Sequence, residues 1–215
     1  MKISKDQLKL YLVTDPILCK SFGLVETVKE AVKGGVTIVQ LRDKFSAKKD
    51  LIKTGKILKK ILINSKIPLI INDDVEAAIE SGADGVHIGK NDMPLESVRS
   101  YVGKNMIVGF SCESVSDIKS LNSNVVDYIG ISPVFKTNTK TDFSKYLGLD
   151  GLKKLSSLTS IPKVAIGGIK KSHCHDIFSC GVDGIAVVSA ICGQEDPFTA
   201  SKELVTEIKK TINNF

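Results

Sequence analysis

Eight short β-rich segments recur along the chain, and they constrain its fold more than any other feature of the sequence. Each is followed by a stretch that can hold a helix, such as residues 24–33 after the first and residues 47–64 after the second. Apolar strands that alternate with helices are typical of a parallel sheet covered by helices. The segments are KLYLVTD from Lys9, VTIVQLRD from Val36, PLIIND from Pro68, GVHIG from Gly85, MIVGFSC from Met106, YIGISPVF from Tyr128, KVAIGGI from Lys163 and GIAVVSAI from Gly184.

Eight such units in 215 residues fit a closed barrel better than an open sheet, so we predict an α/β protein with a (β/α)8 TIM barrel. Gly-Ala-Asp-Gly before the fourth strand is echoed by Gly-Val-Asp-Gly before the eighth. We expect Gly82 and Gly181 to end helices in the left-handed conformation, and Asp84 and Asp183 to lie in the turns before the strands. No linker or low-complexity stretch divides the chain, so we predict a single domain over residues 1–215.

The composition indicates which kinds of partner the protein has and in which cellular compartment it lies. The 30 basic and 24 acidic residues give a net charge of +6, but the lysines are spread along the chain, which is typical of solvated helix faces. Five cysteines without framework spacing indicate a reducing compartment. The apolar runs fall far short of the ~20 residues that span a bilayer, and the first residues do not resemble a signal peptide. We therefore expect a soluble cytoplasmic protein without nucleic-acid or membrane partners. Its oligomeric state is left open, a homo-oligomer included.

Two carboxylates follow the third and fourth strands. Asp73 comes directly after PLIIN, and Asp92 follows GVHIG. The connection of a βαβ unit is right-handed in nearly all proteins, which brings the ends of both strands to one edge of the sheet. Two carboxylates at that edge indicate a hard cation and an anionic ligand. Each also has a structural interpretation, since Asp73 or Asp74 can cap the loop and Asp92 can form a turn before Pro94.

Polar and cationic side chains end the second strand. Alternation along a strand places Gln40 and Arg42 on one face, opposite Leu41, and Lys44 follows two residues later. An amide beside two cations suits a phosphorylated ligand that forms hydrogen bonds. A solvated salt-bridge cluster is the alternative interpretation of the same residues.

The ends of the last two strands indicate a phosphate site. Gly167 and Gly168 follow the seventh strand, and Val188 and Ser189 follow the eighth. Glycines let backbone N–H groups approach a phosphate, and the loops after strands seven and eight are the usual phosphate site of this barrel. These residues predict a phosphorylated ligand but no reaction.

Other polar positions near the strand ends are less specific. Ser111 offers a hydroxyl, and the neighbouring Cys112 is interpreted as a small apolar residue. Residues 133–140 carry two hydroxyls and end in Lys140, which suits either phosphate binding by a closing loop or an ordinary flexible loop. We expect His87 to be packed or to support other site residues, and helical directions spread the side chains of residues 173–180 too widely for a zinc site.

Taken in order, these segments resemble those of the thiamine phosphate synthase family. The resemblance runs from YLVTD at Tyr11 through QLRDK, LIIND, GADGVHIG, GFSC, GISPVFKTNTK and AIGGI to AVVSAI, and it covers nearly the whole chain. It implies a (β/α)8 barrel that couples 4-amino-2-methyl-5-hydroxymethylpyrimidine diphosphate with 4-methyl-5-(2-phosphoethyl)thiazole and releases pyrophosphate.

The resemblance also implies roles for individual residues. Asp73 and Asp92 would bind Mg²⁺. The implied catalytic residues, which stabilise charge on the departing pyrophosphate, are Arg42, Lys44, Lys140 and Ser111. The implied contacts to the pyrimidine diphosphate are Gln40, Leu41, Arg42, Asp43, Lys44, Asn72, Ser111 and Lys140. The implied contacts to the thiazole phosphate are Thr137, Asn138, Thr139, Gly168, Val188 and Ser189.

The implied reaction is a dissociative substitution assisted by Mg²⁺. The aminopyrimidine donates electron density toward the carbon that bears the diphosphate, so pyrophosphate leaves before the thiazole nitrogen attacks. Two alternatives stay open: a thiazole tautomerase with the same barrel, and a non-catalytic thiamine-phosphate binding protein. The complete set of diphosphate and cation residues favours the synthase. Three positions depart from the family's usual residues: Asp43 replaces a common Glu, Lys90 a frequent Gln and Lys136 a frequent Pro.

Overall fold

Strands and helices alternate along the chain, as the segment pattern predicts. In the computed structural model, which describes residues 3–137, 139 and 145–213, eight parallel strands pair in chain order and close into a barrel. This confirms the predicted (β/α)8 barrel, and each predicted segment contains one strand. The strands are β1 (Leu10–Val13), β2 (Ile38–Leu41), β3 (Leu69–Asn72), β4 (Gly85–Ile88), β5 (Ile107–Cys112), β6 (Tyr128–Ile131), β7 (Lys163–Ile166) and β8 (Gly184–Val187).

Helices cover the outside of the barrel. The helix predicted at residues 24–33 has those bounds, and the one predicted at residues 47–64 begins one residue later and ends in a 3-10 turn. None of the helices in the described part of the chain is long and apolar enough to cross a membrane. The helices are α1 (Lys5–Leu8), α2 (Leu24–Lys33), α3 (Lys48–Leu62), α4 (Val75–Ser81), α5 (Leu95–Val102), α6 (Val115–Lys119), α7 (Gly148–Ser156), α8 (Cys174–Ser179) and α9 (Pro197–Ile212).

Side chains of each strand alternate between two apolar regions. Outward-facing residues such as Leu12 and Leu69 pack against the helices. Inward-facing residues such as Ile70 and Val164 fill the barrel together with Leu8 of α1, which lies at the end where the strands begin. Burial of both faces explains why the strands read as continuous apolar runs rather than alternating ones.

A repeated pair of hydrogen bonds joins the strands two by two where they begin. The amide of Asp84, directly before β4, donates to Leu69 O (2.8 Å), and its carboxylate accepts from Leu69 N (2.9 Å). Lys59 Nζ neutralises this carboxylate at 2.6 Å. The same two bonds link Asp127 to Val108, Asp183 to Lys163 and, through its hydroxyl, Thr37 to Leu10.

The predicted turns before β4 and β8 are confirmed. Gly82 follows α4 with a φ of 70°, and Gly181 lies two residues after α8 with a φ of 80°, both in the left-handed region. Asp84 and Asp183 bond the neighbouring strands at the end of the barrel where the strands begin. These aspartates therefore stabilise the barrel and stay away from the strand ends that carry polar side chains.

Candidate active site

The barrel opens at the carboxyl ends of its strands into a cavity of about 300 Å³ that residues from all eight strands or their following loops line. A wider cleft of about 1420 Å³ continues from it toward α9. Most of the predicted site residues meet here. Those that line the cavity are Gln40, Arg42, Lys44, Asn72, Asp73, Asp92, Ser111, Thr137, Thr139, Gly168, Val188 and Ser189.

The carboxylates after β3 and β4 lie side by side at the mouth of this cavity. Burial raises the pKa of Asp92 above its ordinary value, and the adjacent carboxylate of Asp73 raises it further. The N–H of Gly89 donates to Asp92 Oδ2 (2.7 Å) and opposes this effect. Asp73 has a φ of 64°, a left-handed conformation that aspartate adopts more readily than most residues. The capping role belongs to its neighbour Asp74, whose Oδ1 accepts from Ala77 N (2.8 Å) at the start of α4.

The two carboxylates fit a cation that prefers oxygen ligands. Mg²⁺ in proteins is commonly bound by one or two carboxylates, while waters and substrate phosphates complete its shell. Asp73 and Asp92 supply that number, and positive charge between them relieves their repulsion. In the part of the chain that the structure describes, no group of three or more histidine, cysteine or carboxylate side chains is placed to hold a metal ion. Further ligands would therefore come from water or substrate.

Two cationic side chains that follow β2, Arg42 and Lys44, also line the cavity. Lys44 Nζ forms an ion pair with Asp73 Oδ2. Arg42 Nη1 lies 3.9 Å from Asp15 Oδ2, and the amides of Ile17 and Leu18 donate to the other oxygen of that carboxylate. An anion in the cavity would therefore meet two cationic side chains on the β2 side, one of which already contacts the carboxylate of Asp73.

Backbone amides face the cavity from the opposite side of the barrel. Gly167 and Gly168 have φ values of 106° and 64°, which strongly favour glycine. A side chain at Gly168 would also collide with the carbonyl oxygen of Lys136. Within the described residues, nothing accepts a hydrogen bond from the amides of Gly168 and Ser189. These groups are free to donate to a phosphate beside the hydroxyls of Thr137 and Thr139.

Two residues of the implied pyrimidine-diphosphate set do not line the cavity. Leu41 is buried among the outward-facing residues, because alternation along β2 turns it away from Gln40. Asp43 folds back on its own loop, where its Oδ1 accepts from Phe45 N (2.8 Å) and Ser46 N (3.0 Å). The implied contacts Asn138 and Lys140 lie outside the described residues.

Several cavity residues were not anticipated in these roles. Tyr11 lies deep in the cavity and bonds to Gln40, while Lys90 and Glu113 line its rim. His87 is different, because it was expected to be packed or to support other site residues, and it is indeed buried between Tyr128 and Ser111 and hydrogen-bonds both. Tyr11 belongs to a strand whose residues are otherwise apolar, so the only signal was that its position, two before Val13, faces inward.

The chain is similar over most of its length to proteins of one family. Residues 10–191 match the family model described as thiamine monophosphate synthase. The thiamine-phosphate synthase of Psychrobacter sp. (strain PRwf-1) is 42% identical over 207 residues, which cover 95% of this chain and 97% of that protein. That of Vibrio campbellii is 45% identical over 197 residues, covering 92% and 96%. The solved structure of thiamine phosphate pyrophosphorylase from Pyrococcus furiosus matches with a TM-score of 0.88 at 35% identity, covering 97% of this chain and 98% of that one.

Proposed function

This chain belongs to the thiamine monophosphate synthase family, and we propose that the cavity at the carboxyl ends of its strands binds both substrates of that reaction together with Mg²⁺. Its activity is that of a thiamine-phosphate synthase, a transferase that acts on small molecules. The proposed substrates are 4-amino-2-methyl-5-hydroxymethylpyrimidine diphosphate and 4-methyl-5-(2-phosphoethyl)thiazole, with pyrophosphate as the second product. We place the reaction in the cytoplasm, where the five free cysteines stay reduced.

The observation that carries this assignment is a pair of distinct anion sites in one cavity. On one side, the carboxylates Asp73 and Asp92 lie beside Lys44, an arrangement suited to a diphosphate that arrives with a divalent cation. On the other side, the amides of Gly168 and Ser189, which have no acceptor among the residues that the structure describes, suit a phosphate without a metal. A tautomerase that binds only the thiazole, or a binding protein without turnover, has no use for the carboxylate pair.

Some residues of the cavity would bind the substrates, and others would stabilise the charge on the departing pyrophosphate. Gln40, Asn72 and Ser111 offer hydrogen bonds to the pyrimidine or its diphosphate. Bound Mg²⁺ would stabilise the negative charge that develops on the departing pyrophosphate. Arg42 and Lys44 donate to the same oxygens, and Lys44 exchanges its contact with Asp73 for one with the leaving group. The amides of Gly168 and Ser189 hold the thiazole phosphate in place.

A protein nucleophile is not required by this scheme. Cys112 is the thiol nearest in sequence to Ser111, but burial raises the pKa of Cys112 to about 12, which leaves almost no thiolate at neutral pH. Its side chain packs in the outer core rather than the cavity. The arrangement therefore suits departure of pyrophosphate before attack by the thiazole nitrogen, in which electrostatic stabilisation carries the catalysis.

The test is to incubate the purified protein with both substrates and MgCl₂ and to measure thiamine phosphate and pyrophosphate. We expect stoichiometric formation of both products by the unaltered protein. We expect Asp73→Asn and Asp92→Asn to lower turnover about 100-fold or more, because each removes a carboxylate from the cation site. Their dissociation constants for the thiazole phosphate should stay within about twofold, since its proposed site lies across the barrel.

Asp74→Asn is the matched control for these variants. It neutralises the adjacent carboxylate, which caps α4 and is absent from the cavity lining, and asparagine caps helices equally well. Turnover by this variant should be unchanged. Binding of both substrates without any turnover by the unaltered protein would refute the synthase assignment. Equal losses of turnover and of thiazole-phosphate binding in Asp73→Asn would argue against a dedicated diphosphate and metal site.

A further inference from the structure

A continuous chain of five polar side chains crosses the interior of the barrel below the two anion sites. Gln40 Nε2 donates to Tyr11 Oη (2.8 Å), and Tyr11 Oη lies 2.6 Å from Tyr128 Oη. Tyr128 Oη in turn lies 3.0 Å from His87 Nδ1, and His87 Nε2 lies 3.0 Å from Ser111 Oγ. The chain joins β2, β1, β6, β4 and β5, and both of its ends, Gln40 and Ser111, line the cavity.

The packing around the centre of this chain leaves it little freedom. Tyr11 and Tyr128 are almost completely buried, with ring centroids 5.8 Å apart. The ring of His87 stands 5.5 Å from that of Tyr128. The two rings meet because residue 109 of β5 is glycine: a Cβ there would collide with the Tyr128 ring and lie 2.5 Å from His87 Nδ1. The central links are therefore held by the barrel itself.

The hydrogen bonds that link these five side chains can run from donor to acceptor in only two ways, because each central group has one proton to donate. Burial raises the pKa of both Tyr11 and Tyr128 above the ordinary tyrosine value, so each hydroxyl keeps one proton at neutral pH. A neutral imidazole has one donor and one acceptor nitrogen. Tyr11, Tyr128 and His87 then each donate one hydrogen bond to one neighbour and accept one from the other. If the donor and acceptor of one of these bonds are exchanged, those of the other bonds are exchanged as well.

The bond from Gln40 selects between the two directions. Because Gln40 Nε2 donates to Tyr11, the proton of Tyr11 is directed at Tyr128 and that of Tyr128 at His87 Nδ1. His87 is then the tautomer with its proton on Nε2, which donates to Ser111 Oγ. This leaves the hydroxyl proton of Ser111 free to donate into the cavity.

With the hydrogen bonds running from Gln40 to Ser111, the amide oxygen of Gln40 remains as an acceptor at the opposite end from Ser111. No group in the described part of the chain donates to Gln40 Oε1, and the Gln40 side chain lines the cavity. An exocyclic amino group is the complementary donor. The corresponding oxo pyrimidine would instead place an oxygen against Gln40 Oε1, and a site built to accept an N–H bond strongly rejects an analogue that lacks it.

We propose that Tyr11 is a positioning residue for substrate specificity: its hydroxyl fixes the orientation of the Gln40 amide, and the site thereby accepts a 4-aminopyrimidine diphosphate and rejects the 4-oxo analogue. This inference rests on the function proposed above and goes beyond it by naming what selects the pyrimidine. As pyrophosphate departs, the amino group becomes more positive, so its bond to Gln40 Oε1 strengthens in the transition state and contributes to kcat.

Tyr11→Phe tests the proposal because it removes the hydroxyl and keeps the ring. We expect kcat/KM for the aminopyrimidine diphosphate to fall about tenfold or more, the usual effect of a lost buried hydrogen bond of this kind. The preference for the amino over the oxo substrate should fall by a similar factor, because Gln40 can then turn its amide. KM for the thiazole phosphate should not change. An unchanged preference in a folded Tyr11→Phe protein would overturn the proposal.

Tyr128→Phe provides a second variant that breaks the chain one link further on. If both hydroxyls act through one chain, the Tyr11→Phe/Tyr128→Phe double variant should lose no more than about twice as much kcat/KM as the worse single variant. Losses that multiply would indicate two independent packing effects and contradict the proposal. Tyr101→Phe, at a tyrosine that is 60% exposed on α5, is the control and should leave every constant unchanged.

A measurement without substrates reports the direction of the chain itself. The protein contains three histidines, so ¹⁵N labelling of histidine with a His87→Gln variant for assignment isolates the His87 signals. We expect the proton on Nε2 in the unaltered protein and a mixture of tautomers in Tyr11→Phe. A proton on Nδ1 in the unaltered protein would overturn the proposal. If the unaltered protein made no thiamine phosphate, the proposed function would fail, while this tautomer would still decide the direction of the chain.

Discussion

Asp73 and Asp92 place two carboxylates side by side at the mouth of the barrel, although adjacent like charges oppose folding. Lys44 offsets the charge of Asp73 only in part, since its side chain is half exposed. The Asp92 carboxylate gains one bond from Gly89 N but stays partly buried. A site of this kind gains its stability when a cation binds, which is the usual conflict between activity and stability at a catalytic centre.

Asp92→Asn should therefore stabilise the ligand-free protein while it lowers turnover about 100-fold or more, as proposed above. The amide oxygen of asparagine can still accept from Gly89 N, and the repulsion with Asp73 disappears. We expect the free energy of unfolding to rise by about 0.5–1 kcal/mol, the size of an interaction between partly exposed charges. Urea unfolding in EDTA measures this change, with Asp74→Asn as the control that removes a carboxylate outside the pair. A destabilised Asp92→Asn protein would contradict the prediction.

The location of residues near strand ends could be predicted from the sequence, because the carboxyl ends of all the strands meet at one end of the barrel. The carboxylates, Gln40 and Ser111 were expected in one cavity on that ground alone, and they line it. The Tyr11–Tyr128 contact was not predictable, since it joins residues 117 positions apart and depends on how the barrel closes. Leu41 lies inside the motif that carries the family resemblance, but its side chain packs in the outer core, as strand alternation predicts.

At the scale of elements, the paired bonds before the even-numbered strands fix how neighbouring strands begin. Each joins one residue to the first part of the preceding strand through both its amide and its side chain. Asp127 is paired with the least exposed cation among these aspartates: its carboxylate contacts Arg99, whose side chain is largely buried and also donates to Val125 O and Met106 O. Such a residue holds α5, β5 and β6 together.

Asp127→Ala should destabilise the protein without altering its catalysis. Removal of the carboxylate leaves the amide of Val108 and the Nη2 group of Arg99 without their acceptor and takes away the charge that balances the largely buried guanidinium, which costs about 2–4 kcal/mol. Turnover at 25 °C should be unaffected, because Asp127 lies at the end of the barrel where the strands begin. Glu80→Ala, at an exposed position on α4, should change the stability by less than about 0.5 kcal/mol. A loss of kcat without loss of stability would refute this view of Asp127.

The paired hydrogen bonds before the even-numbered strands could be predicted from the sequence only in part. Two of the four positions lie within the visible repeat that begins at Gly82 and Gly181, and their turns were predicted from the glycines. Thr37 and Asp127 carry the same bonds without that glycine context. Their roles depend on the register between adjacent strands, which the hydrophobic pattern alone does not specify.

At the scale of the whole molecule, the net charge of +6 and the placement of cations act together on anionic substrates. Arg42, Lys44 and Lys90 line the cavity, and Lys136 lines the wider cleft. Three carboxylates, those of Asp73, Asp92 and Glu113, line the same cavity, so the effect on arriving anions depends on where each cation lies rather than on an excess of positive charge. Lys90 is of particular interest because its side chain is largely exposed and lies 3.9 Å from Asp117, so it can steer a diphosphate without being part of the proposed metal site.

Lys90→Gln should lower kcat/KM for the pyrimidine diphosphate about two- to threefold at low ionic strength, with kcat at saturation unchanged. The difference should vanish near 1 M salt, where the Debye length is only about 3 Å and exposed charges no longer act at a distance. Lys60→Gln, on the exposed face of the last turns of α3, changes the net charge by the same amount far from the cavity and should have no effect. Steady-state kinetics across a salt series distinguishes the cases. Equal effects of the two variants would mean that total charge matters rather than its placement, and a deficit in Lys90→Gln that persists at 1 M salt would mean that Lys90 contacts the substrate directly.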